Sequence, residues 1–345
     1  MAHHNYSYDY LRAFAALMIV VCHIFTGFGI KSEIGFFLGG TFVNVFLLLS
    51  AYLMGLSSSD KIKNKPIQFL KKRTGRIIPT YYTYLTVTFL IIILFLGIDA
   101  ISGKQAISHY LFLNWFWKAS RIADTPLPNL GHLWFMSCIL LGYISVVVWS
   151  QVLKKFPSLD SKKNWISYFA ILAIFSTLVI FKIRIAIYPC TILLAFVLLF
   201  FKGREIMNYV RKLSPAILIS LLITCNMGGV IYYLLGGYDY PILMFWINLL
   251  NACLWIVTAP FIFNSEKISK LVAFLSAISF EIYLVHHPFC LGAYSLVQYM
   301  PMWLAIICVF AIAIAGGWLL SVITSALLSI QQFILSKNKG FNENI

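Results

Sequence analysis

The chain has 345 residues, of which 61% are hydrophobic and only 11% charged, and its formal net charge is +15. This composition is that of a multi-pass membrane protein and excludes a soluble globular enzyme. The seven cysteines are scattered without CxxC spacing, which argues against a disulfide framework or a zinc site. The basic residues lie in short loops, a distribution that favours orientation in a membrane over nucleic-acid binding.

Apolar runs of roughly 20 residues predict an all-α bundle of about ten transmembrane spans. They lie near residues 10–28, 36–56, 77–98, 132–153, 164–181, 185–201, 215–235, 242–263, 271–289 and 302–335. The first run lacks a small-residue cleavage site, so we expect a retained helix and not a removed signal peptide. We predict one membrane domain over residues 1–335 and a short cytoplasmic tail at 336–345.

The basic residues also predict which way the spans run. Of the 26 lysines and arginines, the loops on one side hold 20, counting Arg12, and those on the other side hold 6. Short cytoplasmic loops carry the excess of Lys and Arg, so both termini are predicted to be cytoplasmic. Arg12 then lies at the cytoplasmic end of the first span, and His23 lies in its outer half.

Arg12 and His23 are the first candidate functional residues. They are eleven positions apart in an apolar segment, so on a helix they share nearly the same face, about 16 Å apart along it. Ionisable groups inside a membrane mark functional sites by default. The alternatives are that Arg12 pairs with Asp9 three residues earlier, and that His23 is a polar packing residue.

A second candidate is the basic segment before the third span. Arg73 and Arg76 are three residues apart, so on a helix both point the same way and could clamp an anionic group, with Lys72 beside them. Pro79 follows, and we expect it to break the chain's path soon after this segment. The alternative is that these residues serve topology alone.

The longest outer segment, residues 99–131, contains an aromatic, helix-like piece at 109–117 that is too short to span a membrane. In it we predict Asn114 and Trp115 to contact substrate. Three helices bring histidines to a similar depth in the predicted outer half. His23 lies in the first span, His132 opens the fourth, and His286 and His287 close the ninth.

No helix carries HxxxH or ExxH spacing, so we predict no metal site. Glu281 is the only carboxylate predicted within a span. It could orient a histidine, neutralise an arginine or be solvated in an aqueous cavity.

These motifs, in this order, resemble the acyltransferase-3 family of bacterial membrane O-acyltransferases. The matching elements are Arg12 with His23, the stretch Asn44–Ser50, Arg73 with Arg76 before Ile-Ile-Pro, His132-Leu-Trp-Phe and Ile282-Tyr-Leu-Val-His. Many members also have a Trp-Ser-Leu-x-x-Glu segment. Here the comparable stretch begins at Trp134 and lacks the glutamate, so a mechanism that needs this carboxylate is not implied.

The resemblance implies a multi-pass protein of the bacterial inner membrane that moves an acyl group, most commonly acetyl, from cytoplasmic acyl-CoA to a hydroxyl. The implied acceptor is a surface glycan or lipid-linked sugar, and neither a metal nor nucleic acid is expected to take part. The resemblance also implies that Arg12, His23, Arg73 and Arg76 are functional residues. Our predicted site adds His132 and His286 as catalytic groups, and Trp134, Tyr283 and Glu281 as substrate contacts.

An ion-coupled secondary transporter is the alternative function. Buried His, Arg and Glu residues on ten helices also suit such a carrier. The sequence shows no inverted repeat and no matching pair of broken helices, which favours the acyltransferase.

Overall fold

A computed structural model describes residues 5–30, 32–114, 130–160, 187–236, 241–264, 267–292 and 294–342. These residues are mostly helical and contain no β-strand, which confirms the all-α prediction. They divide into two compact units. Unit 1 comprises residues 1–73 with 134–276, and unit 2 comprises residues 74–133 with 277–345. The predicted fifth span, near 164–181, lies outside the described residues.

Twelve helices are found in the described part of the chain. They are α1 Ser7–Gly27, α2 Ser32–Ile62, α3 Pro66–Leu96, α4 Gly103–Tyr110, α5 Trp134–Lys155, α6 Ile187–Val210, α7 Pro215–Leu234, α8 Pro241–Ile262, α9 Lys270–Ala277, α10 Ser279–Val285, α11 His287–Cys290 and α12 Met302–Asn342. Six of the described helices are long and apolar enough to cross a membrane, namely α1, α2, α3, α5, α7 and α12. The chain therefore has the helices of a membrane protein, while ten spans and cytoplasmic termini stay predictions.

Helix α3 differs from its sequence prediction at its N-terminal end. The expected break at Pro79 does not occur, because α3 continues through this proline as one helix of 31 residues. Proline is tolerated inside membrane helices because neighbouring groups can satisfy the backbone carbonyl that it leaves without a donor. As a result, Arg73 and Arg76 belong to the same helix as the apolar residues that follow.

The outer segment also differs from its prediction. Ser102 caps α4 by accepting from the Gln105 backbone, and the Gln105 side chain accepts from Ser102 in return. The helix therefore begins at Gly103; it ends at Tyr110, and the chain turns through Phe112, whose φ is 57°. The predicted helix-like piece at 109–117 thus lies mostly beyond α4, and its residues 115–117 lie outside the described residues.

Helices α1 and α2 pack antiparallel at the centre of unit 1. Tyr8 meets Tyr52 with ring centroids 5.7 Å apart, and Phe14 meets Phe42 at 5.4 Å. Glycines bring α2 close to its neighbours, since a Cβ on Gly55 would lie 2.0 Å from the Phe200 backbone oxygen of α6. This close approach holds the α2–α6 contact.

A buried polar network joins α2, α7 and α8 in unit 1. The Thr41 hydroxyl donates to Asn248 over 3.2 Å, and the Asn248 amide donates to the Tyr233 hydroxyl over 2.9 Å. Asn251 bonds Thr41 and exchanges two hydrogen bonds with Asn226, at 2.9 and 3.0 Å. Hydrogen bonds between membrane helices stabilise their association, so this network serves packing.

Replacing Gly55 by alanine should lower the thermal stability of the full chain in detergent. The new methyl group would meet backbone atoms of Phe200, which cannot rotate away, and such overpacking typically costs about 1–3 kcal/mol. Gly228→Ala in α7 is the matched control, because no atom lies within 4 Å of its added Cβ. The thermal stability of both variants is measured as the midpoint temperature at which heating removes half of the monodisperse protein. Equal midpoints for the two variants would contradict the close α2–α6 contact.

Candidate functional site

Arg12 lies in the second turn of α1 and is partly exposed. Its guanidinium forms an ion pair with Asp9 at 3.4 Å and donates to the Ser276 hydroxyl at 3.4 Å. The Ser276 hydroxyl donates to the same Asp9 oxygen at 3.1 Å. The Asp9 pairing raised as the alternative for Arg12 is thereby confirmed. An anionic ligand that binds Arg12 would compete with this carboxylate.

His23 lies three turns further along α1 and is half-buried. Its Nδ1 lies 3.0 Å from the Ile19 carbonyl oxygen. A carbonyl only accepts hydrogen bonds, so Nδ1 carries the proton, and in the neutral ring Nε2 carries the lone pair. This arrangement fixes the tautomer that a general base requires.

The basic residues of α3 occupy its first three turns. Lys72 and Arg76 are exposed, and Arg73 is half-buried with its guanidinium 5.6 Å from the centroid of the Phe69 ring. Arg73 and Arg76 are neighbours three residues apart on one continuous helix, as their spacing predicted. Their guanidinium groups are therefore disposed along one side of α3.

Glu281, in α10, is the acidic counterpart of Arg76 in unit 2. The two side chains lie within electrostatic range of each other. The Glu281 Oε2 atom is buried and has no hydrogen-bond partner among the residues that the structure describes. This interaction is in line with neutralisation of an arginine, and the role of Glu281 stays a prediction.

The histidines of unit 2 form a cluster, defined here as His132, Tyr283, His286 and His287. The His132 and His287 rings stack at 4.4 Å, and the His132 and His286 ring centroids are 5.7 Å apart. The Tyr283 ring lies 5.4 Å from that of His132, and its hydroxyl donates to the His132 carbonyl. The structure therefore brings together four residues that the sequence had singled out, namely His132, Tyr283, His286 and His287.

Pro288 explains why His132 sits in this cluster. Proline has no N–H, so it cannot donate to the carbonyl four residues earlier, that of Leu284. The His132 Nε2 lies 3.0 Å from this Leu284 oxygen and donates to it. His132 thus satisfies a backbone carbonyl that the helix itself leaves unpaired, and in the neutral ring its Nδ1 is an acceptor. This geometry suits a positioning role better than stabilisation of an oxyanion.

His286 repeats the arrangement of His23. It is fully buried, and its Nδ1 lies 3.1 Å from the Ile282 carbonyl oxygen, four residues earlier. In the neutral ring its Nε2 therefore carries the lone pair. Within the described residues, no group of three or more His, Cys, Asp or Glu side chains could hold a metal ion.

Asn114 is engaged in the packing of unit 2. Its buried amide donates to the Tyr81 hydroxyl at 3.2 Å and to the Leu133 carbonyl at 3.5 Å, and it accepts from Ser108 at 3.4 Å. Its predicted contact with substrate stays a prediction. Trp134 begins α5 in unit 1 and is half-buried, whereas Trp115 lies outside the described residues.

Two buried polar residues were missed by sequence reasoning. His109 at the end of α4 is 3% exposed and packs edge-on against Phe89, and this burial lowers its pKa to about 4. Asn44 of α2 is 3% exposed, and its Nδ2 has no hydrogen-bond partner in the described residues. Asn44 begins the stretch Asn44–Ser50 that carries the family resemblance, so the sequence could have singled it out. His109 could not be told from an ordinary interfacial histidine.

Comparison with known proteins decides the family. The acyltransferase-3 model, described as an acyltransferase domain, matches residues 5–322. The chain belongs to the acyltransferase-3 family. The match includes α1 to α11 and about half of α12. The chain is also 29% identical over 162 residues to acyltransferase MdmB of Streptomyces mycarofaciens, a match that covers 43% of the chain and 39% of MdmB. No solved structure matches the chain.

Proposed function

We propose that this acyltransferase is a bacterial inner-membrane O-acetyltransferase that uses acyl-CoA to modify a surface glycan or lipid-linked sugar. Family membership supports acyl transfer. The observation that carries the reaction type is the geometry of His23 on α1, where Nδ1 is held by the Ile19 carbonyl and Nε2 is the proton acceptor. A neutral imidazole with a lone pair on Nε2 can remove a proton from a hydroxyl.

The donor is proposed to be acyl-CoA because four basic side chains lie in the first three turns of α3 and Arg12 lies in the second turn of α1. Phosphates are bound by the forked donors of arginine, which can make two parallel hydrogen bonds. Arg73, Arg76 and Lys72 are the residues proposed to hold the CoA phosphates, with Arg12 as a further contact. Cytoplasmic placement of these residues follows from the predicted orientation.

The proposed reaction is a direct transfer. His23 Nε2 takes the proton of the acceptor hydroxyl as its oxygen attacks the thioester carbonyl. The carbon–sulfur bond breaks, the CoA thiolate leaves and takes up the proton, and the products are an acetyl ester and CoA. A covalent acyl-histidine relay would give the same products in two steps.

The acceptor is proposed to contact the histidine cluster of unit 2. In this proposal a sugar hydroxyl donates to the Nε2 of His286. Tyr283, His286 and His287 are buried in the structure, so acceptor binding has to open the cluster. His132 holds the cluster in place through its bond to Leu284. The further predicted substrate contacts are Asn114, Trp115, Trp134 and Glu281.

The experiment is a comparison of surface glycans from a deletion strain and a strain complemented with this chain. Mass spectrometry and NMR should show an acetyl ester that is lost on deletion and restored on complementation. Purified protein should also transfer label from radioactive acetyl-CoA to the glycan of the deletion strain. Glycans with identical acetylation would contradict the proposal, and uptake of a substrate into vesicles without acyl transfer would favour a transporter.

A further inference from the structure

Unit 2 contains an apolar cavity of about 400 Å³ that the proposed chemistry does not use. Its walls come from α3, from the segment 285–294 and from α12. The lining includes Val87, Ile91, Phe95, Leu319, Leu320 and Ile323. An acetyl group needs only a small fraction of this space, so the acyl donor of the proposed function does not account for the cavity.

We propose that this cavity binds the hydrocarbon chain of a lipid-linked sugar acceptor, an inference that rests on the proposed function and narrows its acceptor. At about 30 Å³ per methylene-sized group, the volume that a water molecule occupies in the liquid, the cavity holds roughly 13 carbon atoms. This matches a segment of a lipid chain. It is far more than a soluble glycan would place in an apolar site.

The cavity is continuous with the apolar surface of unit 2. Val87, Ile91, Phe95 and Leu319 line it, and these four residues are 41%, 44%, 77% and 52% exposed. Such an apolar mouth admits a chain that already lies in the bilayer, whereas a polyanionic CoA thioester would lose its hydration on entering. The entrance therefore selects a membrane-anchored molecule.

The other end of the cavity adjoins the histidine cluster. Tyr84 lines the cavity, and its ring centroid lies 6.5 Å from that of His132. Val285 and Pro288, which also line it, flank His286 and His287 in the chain. A lipid with its tail in the cavity would thus place its polar head beside the side chains proposed to contact the sugar.

Tyr294 adds a polar atom to the cavity wall. Its hydroxyl is buried and has no hydrogen-bond partner among the described residues, although the residue lines the cavity. A buried donor without a partner is costly. A linker oxygen between the lipid chain and the sugar could accept from this hydroxyl.

Glycine at position 316 shapes the cavity. Gly316 lines it, and a Cβ there would lie 2.8 Å from a Val285 methyl carbon. The absence of a side chain lets α12 lie close to α10 while leaving the neighbouring space unfilled. A cavity formed in this way can be filled by a single large side chain on either wall.

The test uses the full chain in nanodiscs of phosphatidylethanolamine and phosphatidylglycerol. The probe is farnesyl-phosphoryl-N-acetylglucosamine with a diazirine at the end of its chain. Ile323→Trp in α12 and Val87→Trp in α3 fill the cavity from two walls. Val322→Trp and Leu90→Trp are the matched controls, since both residues are exposed, lie on the same helices and are not part of the lining.

We expect photolabelling of cavity residues in the wild type and a loss of about tenfold in both filled variants, with the controls unchanged within about twofold. Equal labelling of filled and control variants, or labelling spread along exposed helix faces, would overturn the inference. So would displacement of the probe by excess phosphatidylglycerol to the same extent as by unlabelled probe, because the occupant would then be bulk lipid.

Acyl transfer is measured separately, on the unlabelled probe and on its methyl-phosphoryl analogue. The filled variants should lose transfer to the farnesyl substrate about tenfold and retain transfer to the analogue. Equal transfer by filled and control variants overturns the cavity inference while leaving acyl transfer intact. Labelling of the cavity without transfer to either substrate would instead count against the proposed function.

Discussion

His23→Gln should lower the rate of acyl transfer by about 10²–10⁴-fold, the usual contribution of a general base. The glutamine amide can keep a hydrogen bond to the Ile19 carbonyl, but it cannot take a proton from the acceptor hydroxyl. The variant should therefore fold and insert like the wild type. The measurement is the initial rate of label transfer from acetyl-CoA to glycan by purified protein.

Thr26→Val is the matched control for this change. Thr26 lies one turn beyond His23 on α1, and its hydroxyl donates to the Cys22 carbonyl at 2.9 Å, so the control also removes a polar group bonded to a carbonyl four residues earlier. It should leave the rate of transfer within about twofold, since surface and packing substitutions of this size are usually mild. A glutamine variant as active as the valine control would exclude His23 as the base.

Replacing both Arg73 and Arg76 by glutamine should weaken acyl-CoA binding by about 10²–10⁴-fold. Each substitution removes a charge-assisted hydrogen bond worth about 1.5–3 kcal/mol. The loss should appear mainly as an increase in KM for acyl-CoA. Titration with a fluorescent CoA thioester measures the affinity directly, and its salt dependence should become shallower in the variant.

The control for this pair is Lys65→Gln with Lys71→Gln. Both lysines are exposed beside or within the same basic segment, so the control removes an equal charge. Arg73→Lys with Arg76→Lys adds a second comparison, because it keeps the charge and removes the forked geometry. If the lysine-to-glutamine control weakens binding as much as the arginine pair does, the site is a diffuse positive surface and not an arginine clamp.

The sequence was most informative where spacing along a helix determines proximity. Arg12 and Asp9 are three residues apart, and the structure pairs them. His132 and His286 were predicted to lie at a similar depth, and their rings are 5.7 Å apart. Both inferences depend only on helix geometry and on the position of each residue within its span.

Other features could not be predicted from spacing because they depend on tertiary contacts. Pro79 is a helix breaker in water, but α3 continues through it. Asn114 was predicted to contact substrate, and its amide bonds Tyr81 and Leu133, which come from distant parts of the sequence. The donation from His132 to Leu284 likewise arises only when two separated segments meet.

The bond between His132 and Leu284 has a consequence for how the chain assembles during synthesis. In hydrocarbon, a backbone carbonyl without a donor costs several kcal/mol, so the segment 270–290 is unfavourable in the bilayer until Leu284 is satisfied. The ribosome makes His132 before this segment, so the donor is already present when residues 270–290 emerge. We therefore expect residues 270–290 to become stably inserted only by docking against the segment that carries His132, which makes this one hydrogen bond an ordering step in biogenesis.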